Sequence, residues 1–400
     1  MKYKAAFLLC ALFLSACSSS NRAPSNLNMV ISVSSDGHYA LTTNTNKQAI
    51  LWDLQAHTYR IIFKDANIYS AYFIKNSSDF IYQNDATNEV VLENINGQVI
   101  KRFNPGFPTY GQVMTSSLEE YFASDDSFTI YKIDLAQNKK SIIIQFVCPP
   151  AQAAQGAPKD ATFAGCASFE GADQIFGLTF SPNEKLLVGA ADSGFNVWSV
   201  ATGKLITQVG KNDEETVAAI NPDGHYLVTG DIVNRGIKYN LQSNSYQGFF
   251  YRMPLGQAQQ DLYGQGASEI LAIKFIDNNK LLVFRHMAPW AANYAFLYDT
   301  RVLTPISGHP DWAFHHEIQP LAMLPLIDDP DQHLNAQDNW PLVSDDFSRD
   351  QAIDTSPSAH ILVMSQQNAN GIIVYRYDPA SQTLMREWSG NEDLSFLENY

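Results

Sequence analysis

A unit of about forty residues recurs along this chain of 400. Each copy is an apolar strand, a turn rich in Ser, Asp, Asn and Gly, a second apolar strand, a polar turn, a third strand with Trp or Tyr, and a fourth strand. The first copy reads Val30-Ile31-Ser32-Val33, Ser34-Ser35-Asp36-Gly37, His38-Tyr39-Ala40-Leu41-Thr42-Thr43, Ile50-Leu51-Trp52-Asp53-Leu54 and Tyr59-Arg60-Ile61-Ile62-Phe63. The residue before each first turn falls at Val33, Ile74, Thr115, Phe180, Ile220, Phe275 and Thr355, in steps of 41, 41, 65, 40, 55 and 80. Three steps are one unit long, and the others are one unit plus about 24, 14 and 39 residues. A small antiparallel sheet cannot bury both faces alone; set radially, each twisted sheet packs on its neighbours. A β-sandwich has no need of so constant a period. The expected fold is therefore all-β: a seven-bladed β-propeller of four-stranded antiparallel blades over residues 28–390, with a tail at 391–400.

The unit resembles WD40-type repeats. The best copy is Phe180-Ser181-Pro182-Asn183 with Asp192-Ser193-Gly194-Phe195-Asn196-Val197-Trp198, and Ile220-Asn221-Pro222-Asp223-Gly224-His225 is a second good turn. Trp52-Asp53 is the one true Trp-Asp pair. The Gly-His pair that precedes the first strand in that family is missing, so its Asp-His-Ser-Trp hydrogen-bond network is incomplete here.

The N-terminus carries a separate signal. Lys2 and Lys4 precede an apolar run from Ala5 to Leu14, which is too short to span a bilayer. The run closes on Leu14-Ser15-Ala16-Cys17, which resembles the lipobox of bacterial lipoproteins. That resemblance implies a signal peptide at 1–16, cleavage before Cys17, and acylation of Cys17. Each buried CH₂ contributes about 0.8 kcal/mol, so the several chains of such an anchor hold durably. Residues 17–27 read as a polar tether, and Ser18 in place of Asp favours the outer membrane of a Gram-negative cell, by the same resemblance.

Net charge is −15, and removal of Lys2 and Lys4 makes it −17. So acidic a chain repels phosphate backbones, which argues against nucleic acid as a partner. Cys10 leaves with the signal and Cys17 is acylated, which leaves Cys148 and Cys166 in an Ala-, Gly- and Pro-rich segment of a compartment where disulfides persist. They are expected to pair, which stabilises that loop by about 3 kcal/mol in the chain-entropy model.

Propeller function sits in loops and end faces. Three insertions stand out: the Cys148–Cys166 segment, Pro254 to Gly266 with Gln257, Gln259, Gln260 and Gln265, and a stretch from about Ser307 to Asp350 read as a polar loop between blades six and seven. The last holds His309, His315, His316 and His333 beside Asp328, Asp329 and Asp331. Their spacing matches no recognised metal pattern, so neither a metal nor a cofactor is expected. Asn234-Arg235-Gly236 and His286 interrupt apolar segments and could face the channel. No nucleophile elbow, zinc-protease helix or phosphate loop occurs. Two functions fit: a membrane-anchored, non-catalytic scaffold that binds envelope proteins of an assembly or secretion complex, and a periplasmic propeller enzyme of lyase, lactonase or quinoprotein type with a metal or cofactor in the channel.

Overall fold

The computed structural model describes residues 28–44, 49–63, 71–84, 86–109, 111–125, 129–144, 175–191, 194–209, 215–231, 235–243, 245–252, 270–285, 294–305, 314–325, 353–366 and 371–391. Blade one is β1 (Asn28–Val33), β2 (Tyr39–Asn44), β3 (Ala49–Asp53) and β4 (Thr58–Phe63). Blade two is β5 (Ala71–Phe73), β6 (Phe80–Asn84), β7 (Glu89–Glu93) and β8 (Val99–Phe103). Blade three is β9 (Gln112–Met114), β10 (Glu120–Ser124), β11 (Ile130–Asp134) and β12 (Lys139–Ile144). Blade four is β13 (Ile175–Phe180), β14 (Leu186–Ala191), β15 (Gly194–Ser199) and β16 (Leu205–Val209). Blade five begins with β17 (Glu215–Ile220), β18 (Tyr226–Asp231), β19 (Arg235–Asn240) and β20 (Ser245–Tyr251). Then follow β21 (Ile270–Phe275), β22 (Lys280–Arg285), β23 (Tyr294–Asp299), β24 (Thr304–Pro305), β25 (Phe314–Ile318) and β26 (Pro320–Pro325). Blade seven is β27 (Ile353–Ser356), β28 (Ile361–Gln366), β29 (Gly371–Asp378) and β30 (Thr383–Asn391).

The first turn explains why the unit folds locally. Ser34 Oγ donates to Asp36 Oδ1 at 2.6 Å, and the N–H groups of His38 and Tyr39 donate back to Asp36 Oδ1 and Ser34 Oγ. Such short polar side chains satisfy turn amides that no ladder reaches. Gly37 sits at φ +71°, and a Cβ there would lie 2.4 Å from Ala359 Cβ. Asn221 and Asp223 repeat the arrangement in blade five, where Tyr226 N donates to Asn221 Oδ1 at 2.8 Å. In blades two and three the last inner-strand residue is Phe73 and Met114, one before the position expected from sequence.

Seven buried apolar clusters lie between successive blades, one for each junction. Ile31, Trp52, Val363 and Val374 join blade one to blade seven; Leu41, Phe73 and Tyr82 join one to two; Ile81, Tyr121 and Ile133 join two to three. Phe122 with Trp198, Val197 with Tyr239, Phe249 with Tyr298, and Leu297 with Tyr375 mark the remaining four. Seven junctions among seven blades close a ring. Among the described residues every strand of blades one and seven comes from its own contiguous stretch of chain, and no strand is exchanged between them.

Blade five departs from the expected four strands. Its sheet has six, in the order β17-β18-β19-β20-β25-β24, and β25 runs parallel to β20. The stretch expected as one polar loop from Ser307 to Asp350 thus holds β25 and also β26, the outer strand of blade six. Register gives the physical reason. Outer strands β4, β8, β12, β16, β26 and β30 all carry a register shift against their neighbours, whereas β20 pairs with β19 without one. A bulge twists an edge away from further pairing, and an unbulged edge can accept another strand.

Candidate functional site

By register, one residue of each inner strand lies two before the turn and faces the next blade: Ser32, Tyr72, Val113, Thr179, Ala219, Lys274 and Asp354. Two of them do the same work. Ser32 Oγ accepts the N–H of Phe73 at 3.0 Å, and Asp354 Oδ2 accepts the N–H of Val33 at 2.8 Å. Each satisfies a backbone donor on the next inner strand, which has no ladder partner on its channel side. Lys274 Nζ lies 3.9 Å from Asp354 Oδ1. Burial pushes the Asp354 carboxyl above the usual carboxylate range, opposed by Lys274 and by the N–H groups of Val33 and Thr355. Ser356 Oγ donates to Ser35 O at 2.7 Å, a further tie across the seam between blades seven and one.

Around the ring the inner rim becomes less polar. The Tyr72 hydroxyl is buried with no hydrogen-bond partner among the described residues, and burial, with Tyr121 nearby, raises its pKa well above that of a free phenol. It is a neutral donor and cannot serve as a base. Among the described residues no three His, Cys, Asp or Glu side chains converge as a metal site would require.

The strands alternate in direction, so the connections fall into two sets. Turns from first to second and from third to fourth strands emerge at one face. Connections from an outer strand to the next inner strand begin and end at the other, and these include the long ones at 145–174, 253–269 and 326–352.

On the turn face, Asp299 anchors a charged group. Its Oδ2 receives Arg301 Nη2 at 2.5 Å and Lys280 Nζ at 2.9 Å, while Lys238 Nζ donates to Thr300 O at 2.7 Å and sits over the Tyr226 ring. Arg301 and Lys280 together hold the Asp299 carboxyl far below its ordinary range. The folded protein therefore binds that proton less tightly than the unfolded chain, whose value is about 4. Its stabilisation is complete above that value and is lost as the pH falls below it. Asp299→Asn is expected to lower the melting temperature near neutral pH, with the gap to the parent narrowing as the pH is taken to about 3. A gap that stays constant would exclude this linkage.

The incomplete Asp-His-Ser-Trp network keeps its last link in blade one, where Trp52 Nε1 donates to Thr42 Oγ1 at 3.0 Å. Blade two inverts it: Glu93 occupies the Trp position, accepts the Tyr82 hydroxyl at 3.3 Å and pairs with Arg60 of blade one at 3.4 Å.

Several residues singled out from sequence lie outside the described residues: Cys17, Cys148, Cys166, Asn234, His286, His309, Asp328, Asp329, Asp331 and His333. His315 and His316 fall on β25 and not in a loop. Glu317 beside them is held by Arg252 at 3.1 Å and by Gln319, so it is already committed. Gly236 does not serve as a channel contact: it packs in β19 against Tyr251, Phe249 and the Thr229 carbonyl. The Ser32, Lys274 and Asp354 rim was missed. Its one sequence signal is a polar residue two before the turn of an otherwise apolar inner strand.

These features define a class: a β-propeller of seven blades with a polar seam on its inner rim. Within it, residues 165–199, which run through β13 to β15, match the family model for the WD domain, G-beta repeat, so blade four carries a WD40 repeat. No curated protein matches the sequence. Among solved structures, Hsv2 of Kluyvelomyces marxianus aligns with a TM-score of 0.55 at 11% identity, over 92% of this chain and 99% of that one. The β-propeller domain of Cps50 (Swd1) from Myceliophteria thermophila aligns at 0.53 and 12%, over 85% and 94%. A chain of the mitotic checkpoint complex aligns at 0.56 and 9%, over 86% and 88%. At these identities the likeness is one of fold.

Proposed function

We propose that the protein is an exported lipoprotein, acylated at Cys17, whose propeller is a non-catalytic scaffold binding other proteins of the cell envelope, on the outer membrane of a Gram-negative bacterium. The observation that carries the binding role is topological: of four connections much longer than a turn, three join the ring at one face, and the fourth, 300–319, leaves from the other and carries the hairpin that packs on blade five. A rigid disc with long loops on one face is suited to recognition, since the scaffold fixes where the loops begin and end. The anchor rests on Lys2, Lys4, the apolar run and Leu14-Ser15-Ala16-Cys17. Cys148 and Cys166 form a disulfide that staples the first long connection.

Metabolic labelling with a palmitate analogue, followed by detergent partition, tests the anchor. The parent is expected to take up label and partition with membranes, and Cys17→Ser to lose both. Purified under non-reducing conditions, the protein is expected to show no free thiol at Cys148 or Cys166, and to co-purify with a defined envelope partner from solubilised membranes. An unlabelled parent, or a monomer with no partner, would sink this reading.

A further inference from the structure

Outer strands of a sheet are open templates for another strand, and natural sheets defend them with charge, proline or a cover. Six of the seven blades here carry a defence other than a bulge. β4, β8, β12 and β30 carry Arg60, Lys101 with Arg102, Lys139 with Lys140, and Arg386 with Glu387. β26 starts and ends with proline. β20 has no charge, and β25 covers it; the added hairpin ends the sheet on β24, which contains Pro305.

β16 is the exception. Its sequence, Leu-Ile-Thr-Gln-Val, has neither charge nor proline, and it ends the blade-four sheet with no strand beyond it among the described residues. Leu205 and Ile206 are 55% and 37% exposed. The register shift is confined to these first residues, and Thr207, Gln208 and Val209 pair regularly with Val197, Asn196 and Phe195. Among the described residues, regular backbone with no strand paired to it therefore faces outward beside two exposed aliphatic side chains. Lys204 precedes them, exposed, and its ammonium has no partner among the described residues.

The unpaired backbone selects the occupant. A lipid surface supplies no donors and acceptors in register with a strand. A second copy is disfavoured too: pairing two five-residue strands buries far less than the roughly 1,200 Å² of a stable interface. An extended peptide meets both conditions, and the edge of blade five, filled by β25, shows that an outer edge of this propeller takes a further strand. We propose that the free edge of β16 docks an extended segment of a partner polypeptide, apolar where it meets Leu205 and Ile206 and with a carboxylate that reaches Lys204. This is the strand-addition mode of recognition, and it deepens the scaffold reading by naming one place and one kind of partner.

The probe is a fluorescent synthetic peptide of alternating Val and Thr that ends in two Glu, titrated into the full mature chain. Controls are the same peptide with a central Pro, a version with Lys for Glu, and phosphatidylglycerol vesicles. The parent is expected to bind the acidic peptide and not the Pro peptide, and bound peptide is expected to slow amide exchange at Leu205–Val209. Ile206→Lys and Lys204→Glu are each expected to weaken binding by about tenfold, and Lys204→Glu is expected to gain the Lys peptide. Lys204 is exposed and its ammonium has no partner among the described residues, so that variant is expected to keep its fold and the test stays decisive. No binding, equal binding by the variants, protection elsewhere, or capture of vesicles in place of peptide would each overturn the proposal. Peptide failure with a successful membrane co-purification removes this edge alone; failure of both removes the scaffold as well.

Discussion

Gly236→Ala is expected to destabilise the protein by about 3 kcal/mol or more, at the upper end of what overpacking costs. A Cβ at Gly236 would stand 2.6 Å from Tyr251 Cε2, 2.7 Å from the Thr229 carbonyl oxygen and 2.8 Å from Phe249 Cζ. None of the three can yield cheaply. The carbonyl is backbone within the sheet, and the Tyr251 hydroxyl donates to that same oxygen at 2.7 Å. The Phe249 and Tyr251 rings meet edge to face at 4.8 Å, and Tyr251 meets Tyr298 of the next blade at 5.4 Å. A shift at Gly236 therefore spreads into the core between blades five and six. Gly106→Ala is the control: that residue sits at φ +86°, but its Cβ would meet nothing nearer than Lys140 Nζ at 3.8 Å. There only the backbone strain of about 1 kcal/mol remains. Urea denaturation of both variants measures the difference, and equal losses would refute the packing argument.

That glycine also marks where sequence reasoning stops. The blades were legible because their turns carry their own chemistry: Ser34 with Asp36, and Asn221 with Asp223, close a turn using neighbours two to five residues away. The aromatic positions were legible as well, since Trp52, Trp198, Tyr239, Tyr298 and Tyr375 recur at one place on the third strand, and all are buried. Gly236 looked like an interruption because its reason lies on Phe249 and Tyr251 of the neighbouring strand. The added hairpin escaped for a similar cause. Gly248 pairs with Phe314 across a long stretch of chain, and Phe-His-His-Glu-Ile lacks the apolar alternation of an ordinary strand. Asp354, in Ile-Asp-Thr-Ser, shows in sequence only as a polar residue near the end of an inner strand; only closure of the ring brings it to Val33, more than three hundred residues earlier. Local chemistry is written in the sequence, whereas contacts across the seam are written in the register of strands that meet last.

The seam between blades seven and one is also where the largest single loss is expected. Trp52→Ala should cost about 3 to 5 kcal/mol, the range for deleting a large buried aromatic. Trp52 has no exposed surface, and its ring packs on Tyr59 at 5.3 Å and on Trp388 of blade seven at 6.1 Å. Trp388 in turn stacks on His57 at 5.1 Å, so the indole lies at the centre of an aromatic group that bridges the two ends of the propeller. Its removal also leaves the buried Thr42 hydroxyl without its indole partner. Trp52→Phe, which keeps most of the ring but not the N–H, should lose only about 1 to 2 kcal/mol. Position in the ring separates this site from other buried tryptophans. Trp198 fills a comparable place between blades three and four, which are consecutive in the chain. Blades seven and one are not consecutive in the chain, and among the described residues the contacts that join them run through side chains. Trp52→Ala should therefore speed amide exchange in β1–β3 and β28–β30 together, as the seam opens locally before the rest unfolds. Trp198→Ala should lower global stability without that selective opening. Uniform exchange in both variants would show that the seam is no weaker than the junctions the chain itself spans.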